Sequence, residues 1–418
     1  MRSWTNCRKC SNKSSRWNEA EPRMSPPVTS LYVHVPFCVH KCQYCAFYSE
    51  IATPESVERY VRALTREMEL VRPDCVPQTV YFGGGTPTLL TPQQWEQLFQ
   101  AMDRLDMLGA AEWTVECNPA TLTSDKARLL RDHGVNRISL GLQSLDDELL
   151  GRLGRVHSRA MAFQAYDRLR KAGFANVNLD LMFAIPGQTM AMWDATLTEA
   201  LAMESEHLSS YEVTYEEDTP LFEQLQARQF SVDENLACDM YEQLVRRAET
   251  AGLQQYEVSN FARTGEDRGS RDAGVKSPPN RIPGLACRHN VNYWRGGPFY
   301  GLGPSASSFV HGMRTKNWSN TARYCERLEN GQRPIESTDE LSPLGRAGEL
   351  AAFGLRLTAG WPFEEFRQTT GFDLRQEWAV EIQMLIEKGL GQTDADGLRL
   401  TARGLRLADW VAEQFLRS

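Results

Sequence analysis

The chain has 418 residues, of which 41% are hydrophobic and 24% charged, and its formal net charge is −8. That length buries a barrel-sized core with room for an accessory domain. The acidic balance argues against bulk nucleic-acid binding and leaves only local peripheral membrane contact open, and no apolar run approaches the roughly 18–20 residues of a transmembrane helix.

Residues 1–28 are basic and Ser-rich, with no apolar stretch of the kind a secretory signal needs. They read as a disordered lead-in, and Met24 is an alternative start. Cys7 and Cys10 have metal-ligand spacing but no second pair nearby. Ten cysteines over this length do not make a disulfide framework; they fit a reducing, cytoplasmic setting with one metal site.

From Leu31 to about Thr214, short apolar strands alternate with amphipathic helices. The predicted strands are Leu31–Phe37, Thr79–Phe82, Trp113–Cys117, Arg137–Leu142, Asn176–Phe183 and Leu208–Val213. Between the first two, Val57, Tyr60, Val61 and Leu64 recur at helical spacing. Pro92 sits at a first helical position behind Thr91 as N-cap, and another helix runs from Ser158 until Gly173 stops it. Six strand–helix units in series imply a parallel sheet with helices outside, and the pattern fits a doubly wound sheet or a partial barrel equally well. A further helix follows over roughly 233–252. Residues 263–286, with four Gly and three Pro, form a loop insertion. Residues 287–335 connect it to a tail, 336–418, whose helices are followed by a hairpin turning at Asp396-Gly397 and a last helix. The tail reads as a winged-helix-like module without a basic recognition helix, suited to docking or covering the core.

Cys38, Cys42 and Cys45 stand at the end of the first strand in Cys-x3-Cys-x2-Cys spacing. Soft thiolates select zinc or an iron–sulfur cluster. Zinc sites close at four ligands, and the only candidates for a fourth are His34 and His40. A cubane cluster on three cysteines instead leaves one iron open for a ligand. After the second strand, Gly83, Gly84, Gly85 and Thr86 offer bare backbone for close approach. Glu116, Gln143 and Asp180 fall at later strand ends, where barrel chemistry gathers, and Arg155 follows Gln143. Singly, each reads more readily as a satisfied polar residue in a barrel interior.

The cysteine spacing with its flanking Tyr44 resembles the radical S-adenosylmethionine (SAM) superfamily. The resemblance implies a partial (β/α)6 TIM-like barrel over residues 29–262 and a [4Fe–4S] cluster whose open iron binds SAM. The order of "YVHVPFC", "GGGTPT", "RISLGLQS", "PGQT", "YEVSNFA" and "GLGPSA" resembles one branch, the oxygen-independent coproporphyrinogen dehydrogenases and their heme-chaperone relatives. By that likeness Tyr32, Gly84, Glu116 and Ser307 line the cluster-bound SAM. The dehydrogenases' second SAM site maps to Tyr44, Gly85, Thr86, Gln143, Arg155, Asp180 and Thr214. Two features separate the branches. Phe47 stands where the dehydrogenase motif has a fourth cysteine, and "CRHNVNYW" matches a motif of the heme-chaperone branch. Within it His289 is a candidate axial ligand, with Tyr293 and Trp294 as flat surface for a porphyrin; the alternative is that His289 and Asn290 tie down the loop. Ser307 stands where relatives often carry histidine. The expectation is a cytoplasmic heme chaperone serving an acceptor protein, with no catalytic residue assigned. The alternative is a coproporphyrinogen dehydrogenase, which would draw electrons from a flavodoxin- or ferredoxin-type donor.

Overall fold

The computed structural model describes residues 26–265 and 282–417. The readings made for Cys7, Cys10 and Met24, and for most of the 263–286 insertion, lie outside those residues. Six strands, β1 (Val28–Val35), β2 (Cys75–Gly84), β3 (Glu112–Cys117), β4 (Arg137–Gln143), β5 (Val177–Phe183) and β6 (His207–Glu212), pair in parallel in that order. The sheet has nine strands. β7 (Gln254–Gln255) and β8 (Asn260–Ala262) extend it antiparallel beyond β6, and β9 (Tyr300–Leu302) adds in parallel outside β1. No pairing joins the two edge strands β9 and β7, so the barrel is partial and open at a seam.

The helices form where local signals place them. Pro54–Val71 and Pro92–Arg104 begin with reciprocal capping boxes at Thr53 and Thr91, which satisfy backbone N–H groups that a helix start leaves unpaired. Ser158 caps Arg159–Lys171, and Gly173 leaves it at φ 87°. The strands bury both faces but divide them by chemistry, because successive side chains point to opposite sides. Leu31, Val33, Val80, Phe82, Trp113, Val115, Ile138 and Leu140 pack against the helices around Tyr60, Leu64, Trp95 and Phe99. The alternate positions face the barrel interior and are mostly polar: Tyr81, Glu116, Arg137, Ser139, Asn178, Asp180 and Ser209. The apolar layer holds the sheet to its helices, and the polar layer is left for chemistry.

A small antiparallel sheet (Ser307–Val310, Met313–Asn317, Ile335–Asp339) follows β9. The tail then builds its own core around Trp361, Phe366, Trp378, Leu385 and Phe415. Its hairpin pairs Gly391–Thr393 with Gly397–Leu400, and a third strand, Trp361–Pro362, adds to it. The tail is bound to the barrel through backbone, where Glu257 bridges to Leu357 and Thr358 N–H donates to Tyr256 O at 3.0 Å, and to the small sheet through charge, where Arg314 pairs with Glu349 at 2.7 Å.

Candidate functional site

A cavity of about 920 Å³ opens at the C-terminal ends of the strands, the end where barrel chemistry gathers. It is lined by Cys38, Cys42, Tyr44, Cys45, Gly84, Gly85, Thr86, Glu116, Gln143, Arg155, Asp180 and Thr214, so twelve sequence-predicted residues meet on one wall. Phe47 lies at its mouth, 69% exposed. Ser307 and Tyr32 are not on this wall; Tyr32 lies deeper in the barrel, its hydroxyl 3.1 Å from His34 Nδ1.

The glycines are required by crowding. A Cβ at Gly84, which has φ 104°, would stand 2.5 Å from the His34 ring, and one at Gly85 would stand 2.7 Å from the Phe37 carbonyl oxygen. Gly85 N–H and Thr86 N–H donate to the Val35 and Phe37 carbonyls, both at 2.8 Å, and thereby carry β2 alongside the start of the cysteine loop. The Thr86 hydroxyl lies 3.7 Å from Cys38 Sγ. Arg155 bridges the loop to the barrel, with Nη1 3.7 Å from Cys42 Sγ and Nη2 donating to Gly141 O at 2.8 Å. His34 Nε2 lies 2.8 Å from the Tyr48 carbonyl oxygen, so both of its ring nitrogens are engaged within the fold.

The acids are poised towards neutrality. Burial, reinforced by the nearby Asp180 charge, pushes Glu116 up to about 7, although it accepts from Tyr81 OH at 2.9 Å and Gly84 N–H at 3.1 Å. Burial also raises Asp180, against bonds from Ser139 at 2.9 Å and Asn178 at 2.8 Å. Gln143 takes a left-handed backbone at φ 65°, rare for a residue with a side chain.

The three thiols suit a cluster better than a single ion. Among the described residues, no three His, Cys, Asp or Glu side chains are grouped closely enough to hold one metal ion. Zinc needs its ligands on one point at ~2.3 Å, whereas a cubane offers each thiolate its own iron. The cationic Arg155, with a buried Nε that lacks a protein partner, lies beside them and would offset cluster charge.

The "CRHNVNYW" segment lies elsewhere. Its helix, Arg288–Trp294, closes the opposite, N-terminal end of the barrel. Glu112 at the start of β3 accepts from Arg288 N–H at 2.9 Å and His289 N–H at 3.0 Å. His289 is 1% exposed: Nδ1 lies 3.1 Å from both the Ser30 and Thr79 hydroxyls, and Nε2 lies 2.8 Å from Tyr293 OH. Its ring stacks on Tyr81 at 5.2 Å, and burial lowers its pKa to about 3. Trp294 packs against Phe353, under Arg356. Neither His289, Tyr293 nor Trp294 is on the cavity wall, so the expectation of an axial ligand with two flat neighbours meets a buried barrel floor whose imidazole is already bonded at both nitrogens. Only Asn290 of the segment reaches the cavity lining.

Sequence reasoning did not anticipate several wall residues: Tyr81, Arg137, Ser210, Cys238, Tyr241, and Arg356, Arg406 and Asp409 from the tail. Polar residues at alternate strand positions were the available signal for the strand residues. The tail arginines had none.

Residues 32–200 match the family model for the radical SAM superfamily, and residues 341–407 match the HemN C-terminal domain. Heme chaperone HemW of Bacillus subtilis is 32% identical over 395 residues, covering 93% of this chain and 99% of that one. The chain belongs to the HemW family. Its Lactococcus lactis member is 33% identical, with 93% and 97% of the two chains covered. Among solved structures, Escherichia coli coproporphyrinogen III oxidase (HemN), described as a radical SAM enzyme, superposes with a TM-score of 0.78 at 21% identity over 94% of this chain and 91% of that one. That likeness is one of fold. As a radical SAM protein of the HemW family, the chain uses a [4Fe–4S] cluster and SAM. No helix among the described residues is long and apolar enough to cross a membrane.

Proposed function

We propose that this protein is a cytoplasmic heme chaperone, which binds heme and hands it to an acceptor protein. The observation that carries the reading is likeness along the whole chain, 93% of its length, to proteins named heme chaperone HemW. Phe47 in place of a fourth cysteine supports it. Cys38, Cys42 and Cys45 hold the cluster, with Gly84 and Glu116 beside the SAM on its open iron. Gln143, Arg155 and Asp180 line the space beyond. The cluster would supply redox chemistry when bound; the chain's own residues fix the loop and set the charge around it. An electron donor of flavodoxin or ferredoxin type would serve any cluster reduction.

The test is anaerobic purification with reconstituted cluster, followed by heme titration beside a coproporphyrinogen assay on the same preparation. Heme should bind at about one per chain and pass to an apo-acceptor, with no protoporphyrinogen formed. Absence of heme uptake, or conversion of coproporphyrinogen at a catalytic rate, overturns the reading.

A further inference from the structure

The cavity is not chemically uniform along its length. The cysteine loop and Arg155 form one end. Met182 and Val213 give the wall an apolar stretch next to Tyr44 of that loop, and Tyr241 also lines it. Two cations contributed by the tail, Arg356 and Arg406, line it as well.

These guanidinium groups are only loosely committed. Arg356 Nη1 bonds Asp409 Oδ1 at 2.6 Å, but the Asp409 side chain is 92% exposed, and pairs open to solvent contribute at most about 1 kcal/mol. Arg356 Nε is buried and lacks a protein partner. Its plane lies over the Trp294 ring at 5.1 Å, which fixes its orientation without using its N–H groups. Arg406 pairs with Glu242, whose side chain is 58% exposed. Glu242 is the neighbour of Tyr241, and Tyr241 OH donates to Val258 O at 2.9 Å beside the Glu257–Leu357 bridge that carries Arg356, so both arginines approach the cavity near Tyr241. Glu212, Glu216 and Asp409 also line the cavity, and Lys41, Arg137 and Arg155 bring positive charge to other parts of it.

A cavity with an apolar stretch and two cations is complementary to an apolar ligand with two carboxylates on one edge. We propose that Arg356 and Arg406 clamp the two propionates of heme, with the macrocycle in the cavity beside Met182, Val213 and Tyr241. The clamp rests on the heme-chaperone reading and uses the cavity that His289 does not line; Arg356 reaches it from over Trp294, on the helix that closes the barrel floor. The clamp also gives the tail a role in binding, since the two arginines reach the cavity only because the tail is bound across the barrel. Asp409 and Glu242 hold the guanidiniums until ligand carboxylates replace them, and those carboxylates gain bidentate, charge-assisted bonds in a more enclosed place.

The test compares heme with its dimethyl ester, which keeps the iron and macrocycle but loses both acids. Both are titrated into the reconstituted full chain and followed by the Soret band. The wild type should bind the ester at least about tenfold more weakly than heme, the discrimination of one charge-assisted pair. The double variant R356Q/R406Q should bind heme about tenfold or more weakly, bind the ester within about twofold of wild type, and keep its circular dichroism melting midpoint. The wild-type comparison needs no substitution, so it stands if the variant folds poorly. Equal wild-type affinity for heme and ester overturns the clamp, as does a folded double variant with full heme affinity. Both results leave the heme-chaperone reading intact. A wild type that takes up no heme removes that reading, and the clamp with it.

Discussion

Replacing His289 by alanine separates a barrel-floor role from a metal-ligand role. The imidazole bonds at both nitrogens, to Ser30 and Thr79 on one side and Tyr293 on the other, and stacks on Tyr81. Two side-chain hydrogen bonds contribute about 1 kcal/mol each, and the ring contact about 1 more. The substitution should therefore cost about 3 kcal/mol at pH 8, measured by urea unfolding of the apo-protein. The cost should also depend on pH with a known sign. Burial holds the folded pKa at about 3 against 6.5 in the unfolded chain, so below 6.5 the unfolded state binds a proton that the folded state refuses. The stability His289 contributes is thus present above pH 6.5 and is lost as pH falls towards 3. The loss is about 1.4 kcal/mol for each pH unit. At pH 5.5 the wild-type advantage should shrink from about 3 to about 1.5 kcal/mol, because alanine does not titrate. Heme affinity of the variant should stay within about threefold of wild type. Unaltered stability combined with lost heme binding and a changed Soret band would refute the floor assignment.

Glu67 should show the opposite pH dependence. Burial raises it to about 7 from 4.5, so its stability is complete below 4.5 and is lost as pH rises through 7; the cost of Glu67→Gln should be about 2.5 kcal/mol larger at pH 5 than at pH 8 by chemical denaturation. Gly85→Ala pushes a methyl onto the Phe37 and Val35 carbonyl oxygens; calorimetry should show at least a tenfold loss of SAM affinity, and unchanged affinity would mean that the cysteine loop yields freely. Arg155→Met removes the cation beside Cys42. The cluster's midpoint potential, followed by electron paramagnetic resonance, should become more negative, since reduction adds negative charge that the guanidinium no longer offsets.

What the sequence made legible was local. Strands β1 to β6 lie within a few residues of their expected ranges, because each is a short apolar run between helices with their own caps at Thr91, Ser158 and Asp233. The cysteine loop and the strand-end residues Gly84, Glu116, Gln143 and Asp180 meet because a parallel barrel sends every strand's C-terminal end to one side. Strands β7, β8 and β9 were missed: two or three residues carry no period. The place of His289 was missed for a different reason. The partners that hold it, Ser30, Thr79 and the Glu112 that caps its helix, are 177 or more residues away for the histidine's own bonds, and no local pattern announces them. Arg356 and Arg406 sit on tail helices whose spacing says nothing about a cavity in the barrel.

The unpaired polar atoms point to what the barrel is built to receive. Most floor groups, Glu112, His289, Asn178 and His207 among them, answer one another with hydrogen bonds inside the protein. Buried polar atoms without protein partners occur away from the cavity, at Trp95, Trp113 and Arg327 for example, and also around it. Arg137 Nε, Arg155 Nε, Arg356 Nε, Ser49 Oγ and Ser210 Oγ are buried without protein partners, and all five residues line it. A buried donor left unmatched costs about 1–3 kcal/mol, a cost that a bound acceptor would offset. Three of the five are arginines, so the missing partners are anions or strong acceptors. Glu116 and Asp180, both raised by burial, already accept bonds from Tyr81, Gly84, Ser139 and Asn178. A cluster with its thiolates beside Arg155, and a dicarboxylate at Arg356, would place negative charge where the chain has left donors unmatched.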